Sequence, residues 1–116
     1  VLIHDATAGA AGVGFPHWRD WLAQAGVDGI DAERGLRINA SAAVIQAAIA
    51  GQGVALGRKV LIERDLAAGL LVKPFDAPVL TLRRCWHVVH RPDTASQPKV
   101  AAFRNWLLAE AARTTE

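Results

Sequence analysis

The chain has no methionine and a single cysteine, Cys85. One cysteine excludes an internal disulfide and fits a reducing compartment. Cys85 itself is expected as a small buried apolar residue and not as a reactive thiol. A chain that starts at Val1 and lacks methionine is expected to be a fragment, a processed product or a trimmed chain. Charge of one sign is also missing: 13 basic and 11 acidic residues leave a formal charge of +2. The only basic doublets are Arg58-Lys59 and Arg83-Arg84. Affinity for DNA comes from several phosphates neutralised together, so direct DNA binding by this chain is not expected. No apolar run approaches the roughly 20 residues of a membrane span. Val1-Leu2-Ile3 gives way at once to His4 and Asp5, which is not the pattern of a signal peptide.

The arrangements that carry catalysis or metal are missing too. Of the 4 histidines, His87 and His90 are three apart on an expected strand. They would point to opposite faces and could not share a metal. No Cys/His or Glu/His group has zinc spacing. There is no Gly-x-Ser-x-Gly elbow, and Ser41 sits near a helix start, where a hydroxyl is ordinarily a cap. Asp28 and Asp31 lie in a polar link, and Glu63 and Asp65 on a short exposed helix, so no carboxylate pair sits in apolar surroundings. The glycines of residues 6–14 match no phosphate-binding fingerprint and mark a loop. No enzymatic activity, metal or cofactor is expected.

What the sequence does contain is an α/β pattern, with 52% hydrophobic residues. Val1-Leu2-Ile3 reads as a buried strand with His4 and Asp5 at its C-terminal end. Pro16 opens and Gly26 closes a helix whose stripe is Phe15, Trp18, Leu22 and Ala25, flanked by Trp21. Gly35 to Ile38 is a short strand. A helix follows to Ala50, with the stripe Val44, Ile45, Ala48 and Ile49; it carries no charge and is expected to be largely buried. Gly51-Gln52-Gly53 stops it, and Val54-Ala55-Leu56 is the next strand. Leu61 to Ala68 is a short helix. Leu70 to Phe75 reads as a strand stopped by Pro74, and 83–90 as a longer one. Pro98 begins a last helix with the stripe Val100, Phe103, Leu107 and Ala111, Trp106 beside it. The order β-α-β-α-β-α-β with short links implies a largely parallel sheet in one α/β domain or a piece of one.

The stretch of most interest is Arg37 to Arg58. The first turn of its helix leaves backbone N–H groups unpaired. Asn39 and Ser41 can cap them, or can bind an anionic ligand alongside them. The helix dipole contributes at most about 2 kcal/mol to an anion, roughly thirtyfold in affinity. Such an N-terminus is therefore only part of a binding site.

Several motifs occur in a fixed order. They are His4-Asp5, Trp18-x-x-Trp21-Leu22-x-x-Ala25-Gly26 and Ala47-Ala48-x-x-Gly51-Gln52-Gly53-Val54-Ala55-Leu56-Gly57. Asp65-Leu66-Ala67-Ala68-Gly69-x-Leu71-Val72-x-Pro74-Phe75 comes next, and Pro98-Lys99-Val100-x-x-Phe103-Arg104-x-Trp106-Leu107 ends the series. This ordered set spans nearly the whole chain and resembles the effector-binding domain of LysR-type transcriptional regulators, in the branch of the glycine-cleavage activator. The resemblance implies a fold like that of type 2 periplasmic binding proteins. Residues 1–82 would form the second lobe, a three-layer α/β/α unit. Residues 83–116 would be the strand and helix that return to the first lobe. The N-terminal helix-turn-helix and most of the first lobe would be absent. It further implies a cytoplasmic bacterial regulator, a homo-oligomer, which senses a small and often anionic effector between its lobes and contacts DNA only through the missing domain. Asn39 and Ser41 occupy the place of the family's ligand-facing helix N-terminus; His4, Asp5 and Gly57, at strand ends, would line the same cleft. A piece of a periplasmic solute-binding protein for transport, sharing the fold, is the alternative.

Overall fold

The computed structural model describes residues 1–7, 15–76, 78–81 and 87–114. The chain falls into two compact units, Val1–Arg84 and Cys85–Glu116. The first is built on a parallel three-stranded sheet. Its strands are β1 (Leu2–Asp5), β2 (Leu36–Ile38) and β3 (Val54–Ala55), in the order β2-β1-β3. β1 is central: Ile3 is in register with Leu36 and Asp5 with Ile38 on one side, and Leu2 with Val54 on the other. Helices α1 (Trp18–Ala25), α2 (Ser41–Ile49) and α3 (Lys59–Ala67) alternate with the strands. Parallel neighbours require such crossovers, so the α/β class follows from the order of elements.

The core of this unit is small. Ile3 is the most deeply buried residue, at 1% exposure, and meets Val44 and Ala47 of α2. Ile38, Ala48 and Ala55 pack around them. On α1, Trp18 and Leu22 are buried. The Trp18 indole N–H donates to the Ile3 carbonyl at 2.9 Å. Trp21 meets Trp18 edge to face and donates from its indole to the Pro78 carbonyl at 3.0 Å. Both tryptophans therefore have a packing role in which ring and N–H are each accounted for.

Four expectations are corrected in detail. The helix with Pro16 ahead of it starts at Trp18, after an N-terminal turn in which Asp20 accepts from the His17 N–H at 2.6 Å. α2 is not largely buried: Val44 and Ala47 face the core, whereas Ala42, Ala43 and Gln46 are exposed. Its uncharged surface reflects small alanines, which tolerate water without requiring burial. α3 begins at Lys59, ahead of the expected Leu61. Residues 70–75 form no strand; Leu70, Val72 and Phe75 are exposed, and Phe75 makes a ring contact with Trp21 at 5.6 Å. An apolar run needs a ladder partner to become a strand, and β3 offers only two residues.

The second unit contains a short 3-10 turn at Pro92–Thr94 and the long helix α4 (Pro98–Thr114). Arg91 pairs with Asp93 across that turn. Phe103 and Trp106 stack on α4 with centroids 5.7 Å apart. Val88, Val89 and His90 line a shallow groove of about 350 Å³ with Lys99, Val100, Phe103 and Arg104. The strand expected over 83–90 is irregular at 87–90, and its residues 83–86, Cys85 among them, lie outside the described residues.

Candidate functional site

Parallel strands deliver their C-terminal ends to one edge of the sheet, where α/β proteins place ligands. Three elements meet there in the first unit. β1 ends at Asp5, α2 begins at Ser41, and Arg58 stands between β3 and α3. Alternation along β1 decides which side chains join. Ile3 and Asp5 face α2, and His4 faces the other way.

Asp5 is the hub. Ser41 Oγ donates to Asp5 Oδ2 at 2.5 Å. The Thr7 N–H donates to Asp5 Oδ1 at 3.1 Å, and the Thr7 hydroxyl donates to the same oxygen. Arg58 Nη2 lies 3.7 Å from Asp5 Oδ2 and donates to Ser41 Oγ at 3.4 Å. The Arg58 guanidinium also lies over the Phe15 ring, 4.4 Å from its centroid. Burial on its own raises the Asp5 carboxyl, but the hydrogen bonds from Ser41 and Thr7 and the charge of Arg58 outweigh it and hold the group below the usual 3.8.

A lowered folded-state value stabilises the fold above the unfolded aspartate value, and that contribution is lost as the pH falls through the folded one. The melting temperature of the wild-type chain should therefore exceed that of Asp5→Asn near neutrality. The gap should narrow only as the pH falls below the unfolded aspartate value and through the lowered folded one. Paired thermal melts from neutrality into the acid range check this; a gap independent of pH would contradict it.

The helix end itself has no side-chain cap among the described residues. Ala40 is the N-cap of α2 and gives no side-chain cap, and the first turn holds no acidic residue. The Val44 N–H bonds the Ala40 carbonyl, so the N–H groups of Ser41, Ala42 and Ala43 precede the helical ladder. This differs from the capping expected of Asn39 and Ser41. Ser41 is the first helical residue and its hydroxyl is spent on Asp5, while Asn39 is exposed just before the helix and makes no side-chain hydrogen bond among the described residues.

Of the five candidate residues, the structure joins Asp5 and Ser41 and leaves Asn39 beside them. His4 is buried on the opposite face, where its Nε2 donates to the Arg34 carbonyl at 3.2 Å. Gly57 lies against Ile62: a Cβ there would come within 2.6 Å of the Ile62 Cδ1. Arg58, Thr7 and Phe15 were not singled out from the sequence as members of this cluster. The signal available for Arg58 was its place directly after an apolar strand, at the strand end where ligands gather. Among the described residues no group of three or more His, Cys, Asp or Glu is placed to hold a metal.

Comparison with known proteins places this geometry in context. The family described as "LysR substrate binding domain" matches residues 7–112. The glycine cleavage system transcriptional activator of Escherichia coli (strain K12) is 38% identical over 115 residues, covering 99% of this chain and 35% of that protein. The HTH-type transcriptional regulator DsdC of the same organism is 32% identical over 114 residues, 98% of this chain and 36% of its own length. The HTH-type transcriptional activator AmpR of Providencia stuartii is 42% identical over 79 residues, 66% of this chain and 26% of its own. The chain thus spans about a third of the length of the first two of these relatives. No solved structure matches.

Proposed function

The chain belongs to the LysR substrate-binding domain family, and from that premise we propose that it is the effector-sensing part of a LysR-type transcriptional regulator. It carries no enzymatic activity in this reading. The observation that carries it is the family match over residues 7–112. The convergence of Asp5, the N-terminal end of α2 and Arg58 at the C-terminal edge of the sheet supports it. The alternative of a transport solute-binding protein is set aside, because the similar proteins are transcriptional regulators.

The effector in this proposal is a small anionic molecule. It sits between two lobes of a type 2 periplasmic-binding-protein fold, in which residues 1–82 are the second lobe and 83–116 return to the first. The N–H groups of Ser41, Ala42 and Ala43 supply one wall, with Asn39 beside them. Asp5 holds the Ser41 hydroxyl, and His4, Asp5 and Gly57, at strand ends, line the same cleft. A helix N-terminus contributes at most about 2 kcal/mol to an anion, so the first lobe must add further contacts. Ligand binding would then favour one arrangement of a homo-oligomer over another, through its differential affinity for the two. DNA contact would come from a separate helix-turn-helix domain, in the cytoplasm. No helix among the described residues is long and apolar enough to cross a membrane.

The test is a reporter assay in the full-length regulator. Asn39→Ala combined with Ser41→Ala should raise the effector concentration for half response about tenfold or more, the worth of one or two hydrogen bonds to a charged group. A response curve that does not move would remove the Asn39 and Ser41 side chains from the site.

A further inference from the structure

We draw no further inference here: the strongest candidate, the apolar groove of the second unit that Val88 and Val89 form with Val100 and Phe103 of α4, carries nothing because nothing in the structure shows what covers it.

Discussion

Gly35→Ala is expected to lower stability by about 3 kcal/mol or more, the upper range for a backbone conformation closed to side chains combined with a steric clash. Gly35 has φ 141°, a region essentially reserved for glycine. A Cβ there would lie 2.1 Å from the Leu2 carbonyl oxygen and 2.9 Å from its carbon. Those are backbone atoms of the central strand, so no side-chain rotation relieves the contact. β2 would have to move away from β1, taking with it the pairs Ile3–Leu36 and Asp5–Ile38. The His4 ring, 3.2 Å from the same Cβ, would be displaced as well. Thermal melts by circular dichroism should show a midpoint roughly 10 °C or more below wild type. A midpoint within about 2 °C of wild type would show that β2 can shift freely, and the tight β1–β2 approach would lose its importance.

Ile3→Ala should cost about 2–5 kcal/mol, the range for truncating a buried aliphatic side chain to alanine. Ile3 is the centre of the core, 1% exposed, against Val44 and Ala47 with Ile38, Ala48 and Ala55 around it. Its neighbours on α2 include alanines, which cannot reach into the space it would leave. The effect should fall at the upper end of the range, because the cost grows with the cavity that remains. Urea denaturation should show a lower midpoint with an unchanged slope, the signature of a stability change without a new denatured state. A loss under about 1 kcal/mol would mean that α2 collapses onto the sheet and that the core is softer than its geometry implies.

What the sequence revealed and what it concealed have separate causes. α2 and its exit were legible, because an alanine- and isoleucine-rich period ends in Gly51-Gln52-Gly53 before Val54. Those are local signals, and the structure places α2 at Ser41–Ile49 and β3 directly after it. Asp5 was legible as a strand-end residue, and Ser41 as a helix-start residue. Their bond was not, since it joins positions far apart in the chain. Arg58 was concealed for the same reason: Asp5, Phe15, Ser41 and Arg58 come from four separate stretches. The apparent strand at Leu70–Phe75 misled in the opposite sense. Its apolar residues are real, but apolarity cannot say whether a neighbouring strand exists to pair with them. Absence of charge does not measure burial in α2, where Ala42, Ala43 and Gln46 face solvent.

The position of β1 also sets the order in which this unit can form. Its two neighbours in the sheet, β2 and β3, both lie later in the chain, and the pairing of Leu2 with Val54 closes a loop that encloses α1, β2 and α2. Parallel pairing across such a span loses chain entropy before any contact repays it, which slows folding. As the chain leaves the ribosome, β1 and β2 can meet early, but the sheet stays open on one side until β3 emerges. Until then one backbone edge of the central strand has no ladder partner, a hazard of the kind that invites pairing with another chain. Emergence of β3 is thus the point at which the central strand gains its second ladder partner.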